Sequence, residues 1–332
     1  MRLIIDTDPA MGTIGGDPED CFAVLLALNS PGVTVEGITV VQGNVPAEKG
    51  YSNVKHLLEL VGRTDVPVRR GLVRPLSQDR PIQVGFLERR YAMSQLTEMI
   101  EPPDDEAGAV DFLVEKVQQN PGEITIVTIG PCTNLAKALQ TAPDLAGKVR
   151  GIVMMGGTAA VAGNISPAAE FNFWQDPEAA DIVFRSGAPL TMVGLDVCHQ
   201  TELHPRQVED VAGESELGRF VLEATKPWFR VMGGGTGDGA LHLYDSLAMA
   251  AAIDPTLVAL EDSYVEIETS DGPAQGMSVS HHVPFQRILF RHQETNAKVA
   301  LEVDVDRFYA VFQERVLDVI AKGGKTEQER EN

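Results

Sequence analysis

The chain has 332 residues, 43% of them hydrophobic and 23% charged, which is enough apolar material for one large domain or two small ones. Its formal net charge of -21 argues against nucleic acid as a partner, because phosphate binding rests on clustered Lys and Arg. No run approaches the roughly 20 apolar residues of a bilayer-spanning helix, the N-terminus enters a strand pattern without a leader-like block, and Cys21, Cys132 and Cys198 are too scattered for a disulfide framework or a zinc site. A soluble cytoplasmic protein without membrane contact is the expectation.

Short β-branched runs alternate with longer amphipathic ones. LIID (3–6) precedes DCFAVLLALNS (20–30), VEGITVVQG (35–43) precedes EKGYSNVKHLLELVG (48–62), and EITIVTIG (123–130) precedes TNLAKALQTAP (133–143). GIVMMGG (151–157) then precedes DPEAADIVFRSG (176–187), and LTMVGLD (190–196) precedes HPRQVEDVAG (204–213). Repeated strand-then-helix units predict an α/β fold: an open, mostly parallel central sheet with helices on both faces, with a closed barrel as the second choice. Near the C-terminus YVEIET, GMSVSHHV and AKVALEVD read as small additional strands in a sheet of their own, and VDRFYAVFQERVLDVIA reads as a closing helix. No linker or repeat interrupts the pattern, so one domain is expected over 1–320, with a polar, Gly-rich flexible tail at 321–332.

Ligands of such sheets bind beyond the carboxyl ends of the strands. Those ends carry Asp6 and Asp8, then Asn44, the turn Ile129–Asn134, the loop GNISPAAEFNFWQDP (163–177), and Val197-Cys198-His199. Asp6, Asp8, Asp17, Glu19 and Asp20 fall within fifteen residues and repel one another unless a cation sits among them. Oxygen donors without a matching Cys/His set suit a hard cation such as Ca²⁺, with Mg²⁺ preferring to keep its own waters. The competing reading of an Asp at a strand end is a helix cap or turn former.

DTDP (6–9), Glu19-Asp20, ITVVQGN (38–44), TIGPCTNLAKAL (128–139), MGG (155–157), GNISPAAEFNFWQDPEAA (163–180), GLDVCHQ (194–200) and YDSLAMAAAIDP (244–255) resemble, in this order, the inosine-uridine preferring nucleoside hydrolases. The resemblance implies hydrolysis of a ribonucleoside to free base and ribose. It implies that Asp8, Asp20, Asp245 and the main-chain carbonyl of Ile129 bind Ca²⁺, with Asp8 also the general base on a water. Asn164, Glu170 and Asn172 match residues that hold the ribose hydroxyls, and Asn44 belongs to the same polar floor. Glu19 stands where the family has a second aspartate facing the sugar. A homodimer or homotetramer is implied as well.

The chemistry is coherent on its own terms, since an oxocarbenium-like transition state needs a nucleophilic water on one face of C1′ and support for the leaving base on the other. The leaving-group side departs from the family. Tyr244 occupies the position of a histidine before Asp245, His242 lies two residues earlier, and 70–95 contains no histidine. Two routes follow: Tyr244 donates a hydrogen bond, or the base stacks on an aromatic such as Trp228, beside the GGGTG loop at 233–237. The residues 9–19 carry an insertion relative to the family, in which Asp17 is either a loop carboxylate or a helix cap. Two other functions share these features: a noncatalytic calcium-dependent nucleoside-binding protein, and a haloacid-dehalogenase-like phosphatase suggested by LIIDTDPAM.

Overall fold

The computed structural model describes residues 1–77, 85–86, 88–90, 92–103, 108–281, 289 and 294–324. Eleven strands are found among these residues: β1 (Arg2–Thr7), β2 (Thr34–Val40), β3 (Val68–Arg70), β4 (Ile124–Thr128), β5 (Gly151–Met155), β6 (Leu190–Val193), β7 (Glu202–Leu203), β8 (Leu241–His242), β9 (Val258–Ile267), β10 (Ser278–His281) and β11 (Ala297–Val303). Nine of them form one sheet in the order β10-β9-β11-β6-β5-β4-β1-β2-β3. From β11 to β3 every neighbouring pair is parallel.

Alternation along the strands splits the interior in two. Leu3, Ile5, Val127, Val153, Met155 and Val193 face one apolar core, while Ile4, Ile126, Ile152, Met154 and Met192 face the other. That period of two, apolar on both sides, is what a sheet covered by helices on both faces requires.

The C-terminal strands correct one expectation. They do not form a sheet of their own: Lys298–Ala300 of β11 pairs parallel with Thr191–Val193 of β6, and β9 and β10 continue antiparallel from there. The physical reason is that β6 would otherwise be a bare edge in the apolar interior, and Val299 and Ala300 can each bury a side chain on opposite faces. The closing helix Val305–Phe312 continues through a π-helical turn at Gln313–Leu317 into Asp318–Ala321. Of the expected tail, 325–332 lies outside the described residues, and among those described no helix is long and apolar enough to cross a membrane.

The strand order reverses between β1 and β4, so the connections leave β1 and β4 in opposite directions and open a crevice at their carboxyl ends. Two apolar helices, Glu19–Leu28 and Tyr244–Ile253, pack side by side on the same face. Both begin at the crevice.

Asp6 ties this region together from within. Its Oδ1 accepts from Thr39 Oγ1 of β2 at 2.6 Å and from Asn134 Nδ2 at 2.8 Å, while Asn134 Oδ1 accepts from the Leu72 backbone N–H at 2.9 Å. Asn134 thus joins β1, the helix Thr133–Thr141 and the chain after β3. Asn134→Ala leaves the Leu72 donor and one Asp6 acceptor without their buried partner, so a loss of roughly 1–3 kcal/mol is expected. Urea denaturation monitored by circular dichroism checks this; an unchanged midpoint would show that the network carries no stability.

Candidate active site

Asp8 directly follows β1 and is completely buried. Its Oδ2 accepts from the Asn44 backbone N–H at 2.6 Å, whereas Oδ1 has no hydrogen-bond partner among the described residues. Gly43 and Gly130 flank it. A Cβ on Gly43 would overlap Oδ2, and one on Gly130 would stand 2.8 Å from Oδ1, so only glycines leave room for this carboxylate.

Asp20 sits against Asp8. Its Oδ1 accepts from Thr7 Oγ1 at 2.5 Å and from the Asp8 backbone N–H at 3.1 Å, and its Oδ2 from Asn44 Nδ2 at 3.3 Å. Asp245, on the first turn of the other helix, points its carboxylate at the same place. Burial, followed by the neighbouring carboxylates, pushes Asp8 and Asp245 well above the usual carboxylate range, and Asp20 is raised mainly by burial.

Above this floor opens a cavity of about 220 Å³. Asp17, Asn44, Ile129, Asp245, Asn164, Glu170 and Asn172 line it with polar groups. Phe86, Phe171, Trp228 and Tyr244 add an aromatic lining, with the Phe86 and Phe171 rings 5.4 Å apart, and Arg90 and His242 complete it. Thus Asn44, Ile129, Asn164, Glu170, Asn172, Trp228, His242, Tyr244 and Asp245 all meet in one cavity, with Asp8 and Asp20 buried beneath.

Glu19 does not take the position expected of it. Its carboxylate accepts from the backbone N–H groups of Asp245 and Ser246 (2.9 Å for the latter), which makes it a cap on the helix Tyr244–Ile253 and keeps it off the cavity wall. The extra methylene carries the carboxylate past the cavity to that helix end. Asp17 faces the cavity instead, and its Oδ1 also accepts from the Glu19 N–H at 3.1 Å, so the loop and capping roles coincide. Burial raises Glu19 to about 8 and Asp17 to about 7.

The polar side is built around a short helix. Glu170 caps Phe171–Gln175, accepting from Asn172 N at 2.8 Å, Phe173 N at 3.2 Å and Gly157 N at 3.0 Å. Asn172 Nδ2 donates to the Ile129 carbonyl at 3.1 Å and the Met155 carbonyl at 3.2 Å, which fixes the turn after β4. Asn164 Oδ1 accepts from Phe171 N at 2.9 Å. His242 Nδ1 lies 3.3 Å from the Thr201 carbonyl, and its ring stands 5.6 Å from that of Tyr244. Burial, then Asp17 and other acids, pushes the Tyr244 hydroxyl far up, so it is a hydrogen-bond donor and a poor source of a proton.

Phe86, Phe171 and Arg90 were not legible as site residues. Nothing in GFLERR marks a wall residue, and part of the expected histidine-free stretch 70–95, namely 78–84, 87 and 91, lies outside the described residues.

The donors fit a hard divalent cation. They are all oxygens, Asp8 Oδ1 is buried without a partner, and several like charges are crowded together. Among the described residues, no three His, Cys, Asp or Glu side chains stand as a closed ligand cage, because Asp20 is bound to Thr7 and Asn44 and Glu19 to its helix end.

The profile of the inosine-uridine preferring nucleoside hydrolases matches residues 3–310. A relative named probable uridine nucleosidase 2, from Arabidopsis thaliana, is 32% identical over 329 residues, covering 96% of this chain and 98% of its own. The solved structure of the plant nucleoside hydrolase PpNRh1 has a TM-score of 0.80 at 33% identity and covers 95% and 98% of the two chains. That of a purine-preferring ribonucleoside hydrolase from Gardnerella vaginalis has a TM-score of 0.79 at 31% identity, covering 97% and 100%. The chain belongs to the inosine-uridine preferring nucleoside hydrolase family and is an N-glycosyl hydrolase, which sets aside the phosphatase and the noncatalytic binder.

Two carboxyls away from the acidic floor give the protein a pH dependence. Burial raises Glu170 to about 7 and Asp176 to about 6. The folded state therefore holds these protons more tightly than the unfolded chain, and stability falls as pH rises from about 4 through 7. Asp176→Asn should flatten part of that slope between pH 4 and 6. Urea midpoints across this range check it, and an identical slope in the variant would remove Asp176 as a contributor.

Proposed function

Within this family, we propose that the chain hydrolyses the N-glycosidic bond of ribonucleosides with Ca²⁺ as its cation and Asp8 as general base, in one catalytic unit spanning 1–320. The observation that supports this reading is the Asp8 carboxylate: it is buried at the β1/β4 crevice, one oxygen held by Asn44, the other without a partner. Asp8, Asp20, Asp245 and the Ile129 carbonyl would hold the ion. When bound, the cation supplies acidification of a water and a grip on vicinal hydroxyls.

The protein's own groups do the rest. Asp8 Oδ1 takes the proton of the attacking water. Asn44, Asn164, Glu170 and Asn172 hold the ribose hydroxyls and fix C1′ over the base, which also excludes bulk water. Asp17 takes the sugar contact that Glu19 cannot reach. Trp228 offers a stacking face to the leaving base, with Tyr244 and His242 as polar groups on that side. Assembly as a homodimer or homotetramer and a location in the cytoplasm belong to the same reading.

The uridine name of one relative and the purine preference of another call for a panel of purine and pyrimidine ribonucleosides, with Ca²⁺ supplied and with chelator. Ribose release that chelator stops and Ca²⁺ restores is the expected result; turnover indifferent to chelator would overturn the cation assignment. Asp8→Asn should lower kcat by roughly 10²–10⁴-fold with the fold intact, and a near-normal rate would remove Asp8 as base.

A second pair of variants separates Asp17 from Glu19. Asp17→Asn is expected to raise KM for ribonucleosides with little change in melting temperature, while Glu19→Gln lowers the melting temperature by weakening the cap on Tyr244–Ile253. The reverse pattern would return Glu19 to the sugar.

A further inference from the structure

The insertion after Pro9 has a definite mechanical partner. Ile14 N donates to the Ser94 carbonyl at 2.9 Å, Leu96 N donates to the Gly12 carbonyl at 2.7 Å, and Thr13 bonds Gln95 through their side chains. Asn53 Nδ2 donates to the Pro9 carbonyl at 3.0 Å and to Thr13 Oγ1 at 3.2 Å, and Lys49 Nζ donates to the carbonyls of Met93 and Arg90. The inserted loop and the helix Ala47–Leu60 therefore clamp the segment that carries Arg90.

Arg90 is the only Lys or Arg among the described residues that line the cavity. Its guanidinium carbon lies 4.7 Å from the centroid of the Phe86 ring, and its bonds to the Gly15 carbonyl (3.3 Å) and to Met93 Sδ (3.3 Å) use Nη1 alone. Among the described residues, Nε and Nη2 have no hydrogen-bond partner. The Phe86 ring lies 5.4 Å from that of Phe171, so the guanidinium is held among the aromatic residues that line the cavity.

We propose that Arg90 stabilises the departing base, hydrogen-bonding to its ring nitrogen and carbonyl acceptors as negative charge develops there. The assignment rests on the nucleoside hydrolase reading and names the bond-breaking partner that reading lacks. The C1′–N bond breaks with its electron pair passing to the base; the water oxygen bonds C1′ and its proton goes to Asp8. The base departs as an anion held by a permanent cation, then takes a proton from solvent. The substrate class follows from donor geometry. Bases that place a carbonyl oxygen beside a ring nitrogen, such as 6-oxopurines and uracil, accept two guanidinium bonds, while a 6-aminopurine presents a donor there.

The test compares ordinary nucleosides with p-nitrophenyl β-D-ribofuranoside, whose phenolate leaves without help, in the Ca²⁺-replete full-length protein. Arg90→Gln should lose roughly 10²-fold in kcat on inosine and uridine but less than about threefold on the p-nitrophenyl riboside, by analogy with removal of one preorganised donor. Arg90→Lys keeps the charge and should fall between, and the inosine-to-adenosine ratio should shrink in both variants. Because each variant is read as a ratio of two substrates, partial loss of folded protein cancels. Equal losses on both substrates would overturn the assignment while leaving the hydrolase reading intact. A wild-type protein that releases neither base nor p-nitrophenol would overturn the hydrolase reading and this assignment with it.

Discussion

The structure turns on a repulsion. Asp8, Asp20, Glu19, Asp245 and Asp17 converge at the crevice, where burial above all raises the proton affinity of each. At effective dielectric constants near 20, two such charges about 4 Å apart repel by about 4 kcal/mol, several times what one ordinary hydrogen bond returns. The fold answers with donors: the N–H groups of Asn44, Asp8, Asp245 and Ser246, the amide of Asn44 and the hydroxyl of Thr7. The starts of two helices, Glu19–Leu28 and Tyr244–Ile253, add the positive ends of their dipoles. What these donors leave unbalanced is the part a cation would balance.

That arrangement constrains the scaffold. The two helices can present their first turns together only because both are apolar nearly all round and lie buried against the same sheet face. At the sheet, Gly43 and Gly130 leave a slot for Asp8 between the ends of β2 and β4. The reversal of strand order puts the slot at the one place where two neighbouring loops diverge.

Much of this was legible because it repeats a period. β1, β2, β4, β5 and β6 each announce themselves as an apolar run followed by an amphipathic one, and Asp8, Asp20, Asn44, Glu170 and Asn172 sit at strand ends or beside a compact loop motif. Glu19 was misplaced because one methylene decides whether a carboxylate ends in a cavity or on a helix end, and spacing in sequence does not encode that reach. The C-terminal strands were recognised as strands, but their parallel pairing with β6 depends on an edge that only the assembled sheet exposes. Phe86 and Arg90 were invisible for a related reason: contacts with residues 9–16 and 49–53 carry their segment to the cavity, and no local pattern records contacts so distant in sequence.

The insertion that made the opening acidic stretch look irregular gives the cavity its polarity. Residues 6–9 and 17–20 supply the acidic floor, and the residues between them anchor the segment that brings in Arg90. Breaking an N-glycosidic bond draws positive charge onto C1′ and negative charge onto the base. On the proposed function, the carboxylates answer the charge on the sugar and the guanidinium the charge on the base. Groups fixed in this way cost no reorganisation when the charges appear. The loop that lengthens the path from Asp8 to Asp20 therefore serves both charges, one through the acids at its limits and the other through the segment it clamps.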